Sequence, residues 1–267
     1  FIWINARWLP EFKYSTNALK ELFAFSFFVF ATKTLQYSTK QLDKLLSGKF
    51  LGGEAAGLLD KAQSMMLFPV RNISHVVGGV MFPALSQIQG DLERTRKVYL
   101  MSIRAIAFVT FPMMAGIFAV AESFTLGVLG QQWASMIPIL RILCFAGVAS
   151  SIVSVTGAVY LSQGKSNLDF KVNLLTRPIA IVGVSAGIFW GVTGVALGFT
   201  ISLWINTLIT LSVAGSLIGV NVVRLGALLK STFLISLTMG ALVLETSRHI
   251  SLSSKLNEFL LLTILGA

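Results

Sequence analysis

The strongest constraint on this chain is the regular return of apolar stretches about as long as a bilayer is thick. A helix needs about 20 predominantly apolar residues to cross the hydrocarbon core. With limits loose by a few residues, such stretches fall at 19–38, 55–83, 98–122, 136–162, 168–190, 192–218 and 224–245, and an eighth begins near 256. Most have helical length and too few alternating polar positions for barrel strands. Composition points the same way, with 55% of residues hydrophobic and 12% charged, where a soluble domain carries about 25% charge. The expected fold is all-α: a polytopic membrane helix bundle of about eight transmembrane helices.

The chain starts at Phe1 and stops inside "NEFLLLTILGA", so a fragment of a longer protein is expected. Residues 1–18 read as a cytoplasmic linker, and 19–267 as one helical lobe whose last helix is cut short. "FIWINARWLPEF" looks like the tail of an earlier span, and there is no cleavable signal to discount. The single Cys144 gives disulfides no part.

A formal charge of +10 raises the question of nucleic acid. The 21 basic residues are scattered between apolar runs, with no basic cluster interleaved with aromatics, and nucleic acid is rejected. In a membrane protein the excess follows cytoplasmic loops and anionic headgroups. If residues 1–18 are cytoplasmic, the cytoplasmic loop set holds ten cations and the opposite set five. Lys40, Lys44 and Lys49 are the exception, a lysine-rich stretch on the wrong side.

Six further cations fall inside the spans: Lys33, Lys61, Arg71, Arg104, Arg141 and Arg177. A charge at the bilayer centre costs a few kcal/mol on insertion scales, so it usually faces a bundle interior or water. Lys61, Arg104 and Arg141 lie near span ends, from which long side chains can snorkel. Lys33, Arg71 and Arg177 lie deeper and point to a polar cavity. In "SMMLFPVRNISHVVGG", Arg71 and His75 are four apart and share a helix face, with Ser64 expected on the same face. Asn173 and Arg177 repeat that spacing. Acids are scarce, with Asp43, Glu54, Asp91, Asp169 and Glu258 at span edges or in loops. Three explanations stay open: acids elsewhere in the protein, a water-lined path, or an anionic ligand. Arg offers a donor fork that matches phosphate oxygens. A structural hydrogen bond is the simpler role for His75.

Catalytic patterns are missing. There is no Gly-x-Ser-x-Gly elbow, His-Glu-x-x-His, P-loop or Cys/His metal spacing. No acid pair in a span offers general acid and base work. No enzyme activity, cofactor or metal is expected. A membrane-embedded polysaccharide polymerase is the hardest enzyme to set aside, although the large extracytoplasmic loop typical of that class is lacking.

The stretch "QLDKLLSGKFLGGEAAGLLDKAQSMMLFPVRNISHVVGGVMFPALSQIQGDLERTRKVYL" resembles the segment around the seventh and eighth helices of bacterial polysaccharide flippases. These belong to the multidrug/oligosaccharidyl-lipid/polysaccharide exporter superfamily, in the branch of Wzx-type and colanic acid exporters. "FPMMAGIFAVAESF" (111–124), "LGQQW" (129–133), "PILRIL" (138–143), "TGAVYLSQGKSN" (156–167) and "GVTGVALGF" (191–199) follow in the same order. Leu58 and Leu59 stand where the family often has an aromatic, and Leu42 lies where Asn is frequent.

The resemblance implies the second lobe of a fourteen-helix, two-lobed exporter in the bacterial inner membrane. Its expected cargo is an undecaprenyl-diphosphate-linked oligosaccharide for surface polysaccharide. The expected diphosphate ligands are Arg71 and Arg177, then Lys33, then Arg104 and Arg141, with His75 a neighbour. Expected partners are the lipid-linked oligosaccharide, the bilayer, a coupling ion (H+ or Na+) and polysaccharide assembly proteins. A cation-coupled multidrug exporter is the alternative, and would need carboxylates in the cavity; a non-transporting scaffold is a third.

Overall fold

The computed structural model describes residues 15–249. Residues 1–14 of the expected linker and the eighth span with Glu258 lie outside those residues, while the linker's last three residues, from Thr16, are already helical.

Ser15 opens the first helix, α1 (Thr16–Leu51), by accepting the Ala18 amide at 3.4 Å. The expected span ended at residue 38, yet the helix runs thirteen residues further, to Leu51. Residues 39–47 contain neither Gly nor Pro, and Lys, Gln and Leu are good helix formers. The chain turns only at Gly52, whose φ of 87° suits a residue without Cβ. Lys40, Lys44 and Lys49 are therefore helical, and the charge exception is no loop at all. Lys44 bonds Asp60, and Lys49 lies over the Phe50 ring.

The return helix α2 (Gly53–Gln87) runs through Pro69 and Pro83. Asp91 then accepts the Arg94 amide at 2.9 Å and caps α3 (Leu92–Phe124). After a short irregular corner, Pro138 stands in the first turn of α4 (Ile137–Val153), where its missing N–H costs nothing. The expected 136–162 span is broken before α5 (Thr156–Ser162). Ser151 and Ser154 turn their hydroxyls back onto the carbonyls of Val148 and Ser151, which competes with the helical ladder there.

α6 (Ser166–Gly187) and α7 (Gly191–Ile218) form an antiparallel pair about Gly191, which has a φ of 71°. Gly183 and Gly187 on α6 meet Gly198 and Gly194 on α7 so closely that a Cβ at any of them would strike the opposite backbone. Small residues four apart let membrane helices approach in this way. The two facing segments are "GVALG" (194–198) and "GVSAG" (183–187). The last described helix is α8 (Val222–His249).

Five stretches are long and apolar enough to cross a membrane by length and composition. One of them, Ser166–Ile218, is the folded-back α6–α7 pair. α1 is not among them. It is the polar exception, and its polar residues build the site described next. The shared core lies among α2, α3, α4 and α7. Two buried tyrosines lock it: Tyr99 bonds Thr156 at 3.0 Å, and Tyr160 donates to the Thr210 carbonyl at 2.8 Å.

Candidate functional site: a cleft among four helices

α1, α2, α6 and α7 line an open cleft of about 220 Å³. Each helix contributes one stripe at helical spacing. α1 supplies Gln36, Thr39, Lys40, Asp43, Lys44 and Ser47. α2 supplies Asp60, Gln63, Leu67 and Arg71; α6 adds Thr176 and Arg177; α7 adds Phe199, Ser202 and Asn206.

Arg71 and Arg177, on different helices, thus face one space. The other four candidates do not line it. Lys33 is exposed on α1, within electrostatic reach of Asp169. His75 is exposed one turn beyond Arg71. Arg104 is exposed on α3, a helix with no part in the cleft. Arg141 is half-buried on α4, 3.6 Å from Glu122 and stacked over Phe118, which amounts to a structural environment. Lys61 points away from the cleft and lies over Trp133. Ser64, expected on the Arg71 face, lines a separate apolar hollow with Lys61; Gln63 takes its place in the cleft.

The scarcity of acids also needs correction. Asp43 enters the cleft because α1 continues as a helix and turns that position inward. Asp60, which the sequence reading passed over, ion-pairs with Lys44 at 2.6 Å. Both side chains of that pair are about half exposed (45% and 50%), so the bridge contributes little stability. Four cations (Lys40, Lys44, Arg71, Arg177) still face two acids, an excess of two positive charges among the lining residues.

The arginines differ in how they are held. Arg177 donates to the Asn173 side-chain oxygen through Nε at 3.2 Å and Nη2 at 3.0 Å. Asp43 and Asp169 also act on it electrostatically. Arg71 has no hydrogen bond or ion pair among the described residues and is exposed. The buried Asp43 Oδ1 and Thr176 Oγ1 lack partners too, so the wall keeps both donor and acceptor capacity in hand.

Over 164 residues the chain is 28% identical to the teichuronic acid biosynthesis protein TuaB of Bacillus subtilis, covering 61% of this chain and 34% of TuaB. Over 205 residues it is 27% identical to the lipopolysaccharide biosynthesis protein WzxC of Escherichia coli, covering 75% of this chain and 41% of WzxC. It therefore spans between a third and a half of the length of these relatives. The lipid II flippase MurJ, in an inward closed conformation, has the same fold: TM-score 0.71 at 17% identity, over 96% of this chain and 54% of MurJ. With spanning helices and bacterial relatives of this kind, the protein is a multi-pass inner-membrane protein. The sequence profile of the polysaccharide biosynthesis proteins matches residues 1–138, more than half of the chain, and the chain belongs to that family.

Proposed function

We propose that this chain is one lobe of a flippase that moves undecaprenyl-diphosphate-linked oligosaccharide repeat units from the cytoplasmic to the outer leaflet. The observation that carries the reading is the joint exposure of Arg71 and Arg177 to a cleft with surplus positive charge. Sugars and diphosphate do not enter hydrocarbon unaided, because burying unpaired polar and charged groups is costly. Arginines already placed in a shielded cleft offset part of the diphosphate's desolvation. The polar remainder of the wall (Gln36, Asp43, Gln63, Asn206) offers acceptors and donors to sugar hydroxyls. Relatives named for polysaccharide biosynthesis and a flippase with the same fold support this choice of cargo.

In this reading the lobe rocks against a second lobe and exposes the cleft to each face in turn. The coupling ion is H+ or Na+, and polysaccharide assembly proteins take the delivered lipid. The arrangement holds and carries its cargo without breaking a bond. Asp43 and Asp60 keep a cation-coupled multidrug exporter as the second reading, but the excess of cations in the wall opposes a cationic drug.

The test is rescue of surface polysaccharide in a flippase-null bacterium carrying the full-length gene. Wild type should restore polysaccharide, and Arg71→Ala or Arg177→Ala at equal membrane abundance should not. Full rescue by both variants would remove the arginines from the mechanism. Wild-type drug efflux without polysaccharide rescue would favour the second reading.

A further inference from the structure

We infer that Asn173 is a positioning residue: its side-chain amide presets the Arg177 guanidinium to grip a diphosphate with one edge. The inference rests on the flippase reading above and adds to it a residue whose effect passes through Arg177. Asn173 is 7% exposed, yet its amide makes five hydrogen bonds. Its oxygen accepts from Gln36 Nε2 at 3.0 Å, Arg177 Nε at 3.2 Å and Arg177 Nη2 at 3.0 Å. Its nitrogen donates to the Asp169 backbone carbonyl at 2.9 Å and side-chain Oδ1 at 3.2 Å. Turning the amide over would aim N–H groups at three donors, so the network itself fixes the orientation.

A guanidinium carries five N–H donors. Asn173 occupies Nε–H and one Nη2 hydrogen, the edge nearer the side-chain stem. The outer edge, Nη1 and the second Nη2 hydrogen, has no hydrogen-bond partner, and the side chain lines the cleft. That free edge is the pair of parallel donors that grips two phosphate oxygens at once. A long side chain normally loses rotamer freedom when it binds. Here much of that ordering is complete before the ligand arrives, which favours binding. Arg71 lacks any such clamp, so Arg177 is the fixed anchor of the pair and Arg71 the adaptable one. Gln36 brings α1 into the same network, so the grip also depends on how α1 sits against α6.

The experiment measures binding of farnesyl diphosphate, farnesyl monophosphate and uncharged farnesol to purified full-length protein in detergent. Wild type, Asn173→Ala, Arg177→Lys and the double variant are compared. Arg177→Lys keeps the charge but lacks the fork. Wild type should prefer diphosphate, and Asn173→Ala should weaken diphosphate binding about tenfold while leaving farnesol unchanged. In the Arg177→Lys background, Asn173→Ala should cost nothing more, because each change removes the same grip. If Asn173→Ala does not accumulate, Asn173→Ser carries the test, being polar but too short to bridge to Arg177. Equal losses in both backgrounds, or an equal loss for farnesol, would overturn the positioning role and leave the flippase reading intact. A wild type that binds farnesol as well as farnesyl diphosphate would overturn the flippase reading and this inference with it.

Discussion

The two sides of the bundle present different surfaces, one apolar and one polar. Where α3, α4 and α8 meet, the surface is an apolar groove of Phe111, Met114, Phe118, Phe145 and Phe233. Its rings pack edge to face, Phe111 on Phe233 at 6.1 Å and Phe118 on Phe145 at 5.8 Å. The groove's Ser236 donates to Thr232 within its own helix, and Thr110, next to Phe111, does the same to Ile106. Across the molecule, Gln36 reaches Asn173 on another helix and Ser202 reaches the Ile179 carbonyl. Asp43 Oδ1 and Thr176 Oγ1 there stay unpartnered, with Thr176 only 2% exposed. A membrane helix that closes its polar groups on itself needs nothing from outside. The cleft side leaves charge and hydrogen-bonding capacity open, and that difference marks where a polar cargo fits.

The largest expected effect attacks the support of the cleft. Gly187→Leu would drive a side chain into the Gly194 backbone and prise α6 from α7, with a cost above the usual overpacking range of about 1–3 kcal/mol. Loss of the monodisperse peak in size-exclusion chromatography is the expected readout. Met114→Ala, 1% exposed in the apolar half, should cost about 2–5 kcal/mol through the cavity it leaves. It should lower the melting temperature while diphosphate binding holds, so a parallel loss of binding would blur the contrast between the halves.

Changes to cleft charge should do the reverse. Arg177→Gln removes a cation flanked by Asp43 and Asp169, and diphosphate binding should fall about tenfold or more. Arg104→Gln, on exposed α3 surface, should leave binding unchanged. Lys44→Ala should lower stability only slightly, because its half-exposed bridge to Asp60 is worth about 0–1 kcal/mol. A melting shift larger than that of Met114→Ala would mean the hairpin end is held by that pair.

Much of this was legible because hydrophobic length and helical spacing are local properties. The apolar runs from residue 55 onward located the long apolar helices, whereas the expected 19–38 span falls on α1, which is not among them, and the four-residue step from Asn173 to Arg177 marked a polar stripe on α6. Helix rotation is not local. Nothing in the spacing told that Gln63 rather than Ser64 turns toward Arg71, or that Arg104 and Lys33 turn away from the cleft. The reach of α1 was missed because polar residues 39–47 resemble a loop by hydropathy while their helix propensity says otherwise. Asp43 was misjudged for the same reason, since a carboxylate beyond a span edge looks solvated until the helix carries it inward; Asp60, inside the expected 55–83 span, drew no reading at all. The signal available was the i, i+3, i+4 run from Gln36 to Ser47.

The central claim is that Arg71 and Arg177 together carry an anionic lipid headgroup through this lobe. The most direct test is flipping of a fluorescent undecaprenyl-diphosphate oligosaccharide in proteoliposomes holding the full-length protein. Arg71→Gln with Arg177→Gln is compared with wild type at equal reconstitution. The account predicts flipping by wild type and none above protein-free vesicles by the double variant, with Arg104→Gln at the wild-type rate. Undiminished flipping by the double variant would contradict it.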